Sequence, residues 1–329
     1  MIFPPPPGYT EWPPVAKWGD LEWSHWLARH GWSQEQADQY LRHDRYAYGV
    51  GFTPTGERAG PHNATDEGVK WLYLPTPQGC TLHATRHSGV SNILWGGAVG
   101  GSKSMSARWE AIDGCLRHHG YRAIIIRKEL EELRRTHLDD ISSERQKLCD
   151  ALGDKNAVKV TAQPPVATFE KTDAKIIFGH CKDPGDEEKY LSEAYDLFIG
   201  DEATQLRWKQ IAGIASRLRS DTDRIPRMIL TTNPGGPSHQ ECLEHFITKT
   251  VSVEQNQLYD PADYQYIKAA LWHNPHYQDK DGTYTRYLKR LHSIPDPERR
   301  RQLLEGDWGA IVNQFFTAFD PSLHVRVIA

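Results

Sequence analysis

Short apolar runs alternate with longer amphipathic stretches from about residue 90 onward, and this alternation is the main structural signal in the chain. Five apolar runs are predicted as strands: 92–95, 123–127, 175–179, 196–200 and 227–232. Stretches with helical spacing are predicted as helices: 103–118, 128–150, 187–194, 203–219 and 238–247. Strands that alternate with helices predict an α/β fold, a mostly parallel sheet with helices on both faces.

The flanks of this pattern are less regular. Residues 155–174 contain two short β-branched runs, which predict a hairpin or edge strands. Beyond Val251 the one clear helical pattern covers about 283–292.

The start of the chain differs in composition from the rest. Residues 1–19 are rich in proline, and residues 20–45 predict a pair of helices, the second opened by a capping box of Ser33 and Gln36. Glycine, proline, asparagine and threonine are frequent in 50–70, which predicts a linker. We therefore divide the chain into a tail, helical pair and linker (1–70) and a main domain (71–310).

Composition restricts the class of protein. The net charge of −4 argues against a basic coat for nucleic acid, although a local basic groove is compatible with it. No apolar run approaches the roughly 18 residues of a membrane span. The five cysteines have no CxxC spacing and are expected to be reduced thiols of a soluble, intracellular protein.

The strongest chemical signal follows the first predicted strand. Residues 93–104 read Ile-Leu-Trp-Gly-Gly-Ala-Val-Gly-Gly-Ser-Lys-Ser, an apolar strand running into a glycine-rich loop. In such a loop, backbone N–H groups surround a phosphate, Lys103 reaches the outer phosphates and Ser104 holds Mg²⁺. The glycines expected at the phosphate are Gly97, Gly100 and Gly101.

Ser102 departs from the pattern G-x-x-x-x-G-K-[ST], which has glycine at this position. Serine fits if φ is negative, whereas a positive φ strains its Cβ. We include Ser102 among the phosphate-binding residues, and its conformation bears on rate.

Two adjacent carboxylates end another predicted strand. Asp201 and Glu202 follow the apolar run 196–200, and the carboxyl ends of parallel strands share one edge of a sheet. Asp201 suits the outer shell of a metal, and Glu202 suits the polarisation of a water for attack on a γ-phosphate. Such a pair is common by chance, and the loop about a hundred residues upstream is what favours a functional interpretation.

Further polar residues extend this candidate site. Thr232 and Asn233 end the strand 227–232 and can sense the γ-phosphate, although Asn-Pro-Gly-Gly is also plain turn chemistry. Gln78 precedes the first strand and is positioned to read an adenine edge, the alternative being a surface glutamine.

Taken together, these motifs resemble the ATPase domain of the large terminase subunit, the genome-packaging motor of tailed bacteriophages. The resemblance extends over about 71–320. It is carried by 75–78, the loop 96–104, 124–128, 178–180, 189–190, 201–204, 217–219, 232–236, Asn274-Pro275, the Tyr284…Leu288 helix and Leu-Leu-Glu-Gly-Asp-Trp at 303–308.

The resemblance implies a RecA/ASCE-like P-loop NTPase that hydrolyses ATP with Mg²⁺. Lys103 and Ser104 would bind phosphate and Mg²⁺, Asp201 would support the metal, and Glu202 would activate water. Thr232 and Asn233 would couple hydrolysis to movement on DNA. The implied partners are double-stranded DNA, portal protein and procapsid, a small terminase subunit and further copies in a ring, all in the host cytoplasm.

Motors of this kind also need an arginine against the charge that develops on the phosphate. Arg217 and Arg219, on the predicted helix 203–219, and Arg127, at the end of strand 123–127, are candidates; each is otherwise an ion-pairing residue. The resemblance also allows a neighbouring subunit to supply it.

Full-length members of the family carry a C-terminal nuclease domain. Residues 311–329 are expected to begin the linker toward such a domain, so we expect no DNA cleavage by this polypeptide and allow for a separately encoded nuclease. The alternatives to a packaging ATPase are a non-catalytic, terminase-derived nucleotide-binding or assembly module and a P-loop ATPase outside packaging; the stretch 303–308 argues against the latter.

Overall fold

The computed structural model describes residues 8, 10 and 18–309, apart from 101, 221, 223 and 253–256. Its strands are β1 (Val50–Phe52), β2 (Lys70–Tyr73), β3 (Asn92–Gly97), β4 (Arg122–Arg127), β5 (Val158–Ala162), β6 (Pro165–Phe169), β7 (Ala174–His180), β8 (Leu197–Asp201), β9 (Arg227–Thr232) and β10 (Tyr264–Ala269). Its α-helices are α1 (Asp20–Arg29), α2 (Gln34–Gln39), α3 (Arg45–Ala47), α4 (Pro77–Ala84), α5 (Lys103–Arg117), α6 (Leu130–Leu133), α7 (Asp139–Leu152), α8 (Trp208–Ala215), α9 (His239–Cys242), α10 (Thr285–His292) and α11 (Pro297–Glu305). The tail up to residue 7 and the segment 310–329 lie outside the described residues.

An eight-stranded sheet organises the main domain. Its order is β10-β3-β9-β8-β4-β7-β6-β5. The strands from β10 to β7 are parallel, and β6 and β5 add an antiparallel hairpin at one end. The predicted mostly parallel sheet is confirmed, as is the hairpin within 155–174.

Both faces of the sheet are buried, as its near-continuous apolar strands require. Ile93 and Trp95 of β3 pack in one cluster with Ile112 of α5, whereas Leu94 packs on the other face with Ile211 of α8 and with Phe246. The alternation along β3 therefore places helices on opposite faces. One consequence is that the ends of the strands, rather than their faces, are open to a ligand.

The edge where parallel strands end positions the candidate site. β3 ends at Gly97, β8 at Asp201 and β9 at Thr232. In the register of the sheet, Gly96 is opposite Thr232, and Asp201 is opposite Thr231. The glycine-rich loop and the two carboxylates therefore meet at one edge.

Two predicted helices are shorter than expected. Within 203–219, a 3-10 turn over Ala203–Gln205 precedes α8, because the Thr204 N–H donates to the Thr232 hydroxyl instead of to a helical carbonyl. After α8 the chain pairs with Tyr195 as an extended strand would. The stretch 187–194 contains a 3-10 turn over Asp186–Tyr190.

Two elements, β10 and α11, were not predicted. β10 is an edge strand with a mixed apolar and polar sequence, which weakens the strand signal. α11 carries three consecutive arginines and buries little of its surface beyond Gln302, so an apolar stripe is missing.

The N-terminal region packs on the main domain through aromatic rings. Trp23, Trp26 and Tyr40 share a cluster with Cys80 of α4, and the Tyr40 hydroxyl donates to the Pro75 carbonyl at 3.0 Å. The capping box of Ser33 is confirmed.

The predicted linker 50–70 contributes structure of its own. β1 and β2 form a two-stranded antiparallel sheet, and Val50 and Phe52 are buried in the main core. Apolar residues at the start of the segment therefore outweigh its loop-like composition.

Two expectations from composition can be compared with the fold. All five cysteines are buried and unpaired. Among the described residues, no helix combines the length and apolar character that crossing a membrane would require.

Candidate active site

The glycine-rich loop connects β3 to α5, as predicted. Gly97 has φ +129°, and a Cβ there would lie 2.4 Å from the Ala269 carbonyl oxygen. Gly100 has φ +85°, and a Cβ there would lie 2.8 Å from the Tyr277 ring. Both positions therefore require glycine, while Gly101 lies outside the described residues.

Ser102 adopts the strained alternative. Its φ is +59° and its ψ is 16°, a left-handed conformation, and its side chain does not cap α5. For a residue with a Cβ this conformation costs on the order of 1 kcal/mol.

The Lys103 side chain is buried beneath the loop. Its Nζ donates to the Ala98 carbonyl at 2.8 Å and to Asn233 Oδ1 at 3.0 Å. Burial lowers the pKa of Lys103 to about 8, and the negative charges of Glu202 and Asp201 oppose that shift. This ammonium therefore lacks a direct carboxylate partner and is available to a phosphate.

Asp201 accepts hydrogen bonds at both carboxylate oxygens. Ser104 donates to Oδ1 at 2.7 Å, and Thr231 also donates to Oδ1. His137 Nε2 lies 3.0 Å and Arg127 Nε 3.3 Å from Oδ2. Burial alone would raise the pKa of Asp201, but these neighbours hold it well below its ordinary value, so the group is ionised.

Glu202 has a different environment from its neighbour. Its φ is +53°, its side chain is 25% exposed, and Oε1 lies 3.9 Å from Arg127 Nη2. Burial and the charge of Asp201 raise its pKa, more than offsetting Lys103 and Arg127. A carboxylate with a raised pKa is the more basic of the two, which suits the acceptance of a proton.

A cavity of about 280 Å³ lies in front of the loop. It is lined by loop residues from Val99 to Met105 together with Glu202, Asn233, Asn274 and Tyr277. Asn274 Nδ2 donates to the Gly100 carbonyl, and its Oδ1 accepts from the His276 N–H at 3.1 Å. Asn274, part of the family resemblance but given no role from sequence, thus fixes the loop.

Of the two residues predicted at the end of β9, only Asn233 reaches Lys103. Thr232 is fully buried and shares a 2.7 Å hydrogen bond with Thr204. The preceding Thr231 is the threonine that contacts Asp201. Because successive side chains of a strand alternate, Thr232 lies on the opposite face from the carboxylate.

Arg217 and Arg219 are not brought to the loop of their own chain. The Tyr195 N–H donates to the Arg217 carbonyl, and the Arg219 N–H donates to the Tyr195 carbonyl. Tyr195 precedes β8, so both arginines lie at the amino edge of the sheet, about 16 Å from Asp201 at 3.3 Å per residue. Arg127 is the arginine candidate that lies within the site.

Gln78 lies in the first turn of α4, after the helix cap at Thr76. Its Oε1 is buried and has no hydrogen-bond partner among the described residues. α4 packs on α5 near this point, since a Cβ on Gly79 would lie 3.2 Å from Ser106 Oγ. An unpaired amide oxygen of this kind can accept a hydrogen bond from a base.

α11 and the residues after it form the outer wall of the loop. The Val99 N–H donates to the Leu303 carbonyl at 3.1 Å. Arg299 Nη1 donates to the Pro234 carbonyl at 3.2 Å, next to Asn233. The Trp308 ring lies against Gly96, and its Nε1 donates to the Tyr266 hydroxyl at 3.1 Å.

Sequence reasoning missed several of these contacts. His137 and Thr231 gave no local signal, since one lies within a helical stretch and the other within an apolar strand. Asn274 could have been found as an asparagine before proline that starts a turn.

The oxygen donors at Ser104 and Asp201 fit Mg²⁺. This ion prefers oxygen ligands and is commonly bound by one or two carboxylates together with substrate phosphates. In the described part of the chain no group of three or more His, Cys, Asp or Glu side chains forms a metal cage. The donor set therefore suits a metal that arrives with its nucleotide.

A parallel sheet, a glycine-rich loop before a helix and carboxylates on a nearby strand define the class of α/β nucleotide-binding proteins. Within that class, residues 107–320 match the family model described as terminase large subunit, T4likevirus-type, N-terminal. The chain belongs to the large terminase subunit family. No curated protein sequence matches it significantly.

Solved structures with the same fold come from three phages. The large terminase of a thermophilic bacteriophage, in complex with ATP-γ-S, is 12% identical with a TM-score of 0.52, over 71% of this chain and 52% of that one. The HK97 large terminase is 10% identical with a TM-score of 0.52, over 70% and 50%. The ATPase domain of the Thermus phage P74-26 large terminase is 15% identical with a TM-score of 0.50, over 72% and 94%.

These matches delimit what is shared. The chain spans about half the length of the large terminases from the thermophilic bacteriophage and from HK97. At 10–15% identity the likeness shows the fold alone.

Proposed function

We propose that this chain is the ATPase motor of viral DNA packaging and hydrolyses ATP with Mg²⁺ to move double-stranded DNA into a procapsid. The observation that carries the proposal is the 2.7 Å hydrogen bond between Ser104 Oγ and Asp201 Oδ1. It joins the end of the glycine-rich loop to the strand that carries Glu202, in a member of the large terminase family.

Binding of the nucleotide follows from the loop and α5. The N–H groups at the start of α5 and the Lys103 ammonium face the cavity where the β- and γ-phosphates would lie. Ser104 and Asp201 would hold Mg²⁺, which offsets phosphate charge when bound. The unpaired Gln78 Oε1 supports adenine as the base, because adenine offers an amino group.

The hydrolytic step requires a base, and Glu202 fits that role better than Asp201. Asp201 has both oxygens engaged by donors, whereas Glu202 lines the cavity. Glu202 would accept the proton of the attacking water as the oxygen bonds to phosphorus and the ADP oxygen leaves. Arg127, which lies between the two carboxylates, would offset the charge that they carry.

Coupling to movement begins at Lys103. Its hydrogen bond to Asn233 Oδ1 competes with a γ-phosphate for the same ammonium. Asn233 would therefore be released when ATP binds and recaptured after phosphate leaves. The turn that follows is held by Arg299, so the change would reach α11.

The implied assembly rests on family membership. We propose double-stranded DNA, portal protein, procapsid and a small terminase subunit as partners, further copies in a ring, and the host cytoplasm as the location. Arg217 and Arg219, at the far edge of the sheet, remain candidates for an arginine supplied to a neighbouring subunit.

Steady-state phosphate release tests the catalytic assignment, measured with and without double-stranded DNA. We expect Lys103→Ala and Glu202→Gln to reduce the rate by at least a hundredfold, and Glu202→Gln to retain ATP binding in calorimetry. Arg286→Gln, a change on an exposed arginine, is the control. Equal rates in all proteins would contradict the proposal.

The strain at Ser102 favours one alternative, a non-catalytic nucleotide-binding or assembly module. Tight ATP binding without hydrolysis, even with DNA and portal protein present, would support that alternative over the motor.

A further inference from the structure

A second cavity lies at the amino edge of the sheet, opposite the candidate active site. Its volume is about 330 Å³. It is bordered by Tyr121 before β4, Asp196 before β8 and Arg227 at the start of β9, together with the last turns of α5. Nothing in the proposed ATP hydrolysis uses this cavity.

Arginines crowd the floor of the cavity. Arg86 Nη2 lies 2.5 Å from Glu110 Oε2, and Arg86 Nη1 lies 2.6 Å from Asp113 Oδ2. Arg227 also contacts Glu110, and Arg58 Nη2 lies 2.5 Å from Asp113 Oδ1. Each of these buried carboxylates is therefore shared by at least two guanidinium groups.

The rim adds two arginines that water can reach. Arg117 Nε lies 2.9 Å from Asp113 Oδ2, and its side chain is 42% exposed. Arg224 Nη2 lies 3.1 Å from Asp196 Oδ1, and its side chain is 26% exposed. Among the described residues, four lining arginines face three lining carboxylates, and Arg58 is a fifth cation bound to one of them.

The histidine at the rim senses this excess of positive charge. Burial first, and then the charges of Arg224 and Arg117, lower the pKa of His118, against the opposing effect of Asp113 and Asp196. The carboxyl end of α5 disfavours an anion here, and the surrounding guanidinium groups more than offset it.

We propose that this cavity is a second anion site, which takes an oxyanion of the phosphate class through Arg117 and Arg224. Guanidinium groups present paired N–H donors that match two oxygens of a phosphate, and such charge-assisted hydrogen bonds are the strong ones. The buried floor holds the cavity open and positive, and the exposed rim admits the ligand. The anion is either free phosphate or a backbone phosphate of DNA.

The cavity is linked to the glycine-rich loop by one rigid element. α5 has 15 residues and carries Lys103 and Ser104 at its start and Arg117 at its end. At 1.5 Å per residue the two ends are about 22 Å apart. The anion site is therefore separate from the nucleotide site and can be tested without any hydrolysis.

Inorganic phosphate is the first probe, titrated by calorimetry into the full chain. Because phosphate can also enter the loop, the measurement is made in a Lys103→Ala background. We expect Arg117→Gln combined with Arg224→Gln to weaken phosphate binding at least tenfold, and Arg286→Gln to leave it unchanged. Binding should also raise the pKa of His118, measured by NMR.

A short DNA duplex, followed by fluorescence anisotropy at fixed salt, distinguishes the two sources. If the ligand is a DNA phosphate, the double variant weakens duplex binding at least tenfold and duplex competes with phosphate. If it is free phosphate, duplex binding is unchanged while phosphate binding is lost.

A folding defect is controlled by Arg117→Lys, which keeps the charge and removes the paired donors, and which should weaken phosphate binding by a smaller factor. Equal phosphate affinity in the background protein and the double variant, or no phosphate binding in the background protein, would overturn the proposal.

Discussion

Two non-glycine residues of the candidate site, Ser102 and Glu202, have left-handed backbone conformations. Strain of this kind persists where the surroundings dictate it, and it concentrates at functional sites. At Ser102 the strain sets the direction of α5 and hence the position of Lys103. At Glu202 it turns the chain immediately after β8, so that two adjacent carboxylates have different environments.

Ser102→Gly should stabilise the protein. Glycine adopts φ +59° without a Cβ penalty but loses more chain entropy on folding, so we expect a gain of about 0.5 kcal/mol in the free energy of unfolding. Ser143→Gly, within α7, is the control and should cost about 0.5–1 kcal/mol. Denaturant unfolding measures both, and equal destabilisation by the two changes would contradict the left-handed conformation.

Two titrations should shape the pH dependence of kcat/KM for ATP. Glu202 must be ionised to accept a proton, and its raised pKa shifts the rise of the profile to higher pH than an ordinary glutamate gives. Lys103 must be protonated to bind phosphate, and its pKa of about 8 makes the profile fall near pH 8, earlier than for an ordinary lysine.

The profile is measured in the free enzyme at saturating Mg²⁺. A rate that keeps rising well above pH 8 would show that Lys103 is not the group responsible.

At the scale of single elements, β9 combines two roles through the alternation of its side chains. Thr231 donates to Asp201, whereas Thr232 bonds Thr204 on the other side. The carboxylate is thus oriented by one residue and the following turn is anchored by the next.

Thr231→Val should raise the Mg²⁺ concentration for half-maximal activity about tenfold, because Asp201 loses a donor that orients it. Thr232→Val is the matched control, equal in size and one residue away, and should leave the Mg²⁺ requirement unchanged. Titration of phosphate release with Mg²⁺ measures both. The reverse ranking would mean that the side chains of β9 face the other way.

Local sequence was enough to predict β3, the loop and the start of α5, because these residues are consecutive. The contact between Asp201 and His137 spans 64 residues and has no local signature, so it could not be predicted. Arg217 and Arg219 were placed on a helix near the site. A residue just before a parallel strand lies at the amino edge, so topology alone could have corrected that placement.

At the scale of the whole molecule, the segment after α10 returns to the loop from the far end of the chain. Gly306, which ends α11, has φ +64°, and a Cβ there would lie 2.5 Å from both the Ala98 nitrogen and the Gly97 Cα. The backbones of two segments about 200 residues apart are therefore in direct contact.

Gly306→Ala should displace the loop and weaken ATP binding at least tenfold, as measured by calorimetry. Gly153→Ala is the matched control, because Gly153 also ends a helix at φ +67° but an added Cβ there would meet no atom within 4 Å. Both changes carry the same backbone penalty, so any difference in ATP affinity reports the contact with the loop. Equal affinities would contradict that contact.

The hydrogen bond from Val99 to the Leu303 carbonyl has a mechanical consequence. A pull on the residues that follow Trp308 would reach the phosphate loop through this bond and the contact of Gly306. Nucleotide affinity would then vary with tension along the chain. Held under load, the protein would sense resistance at the same loop that binds its fuel.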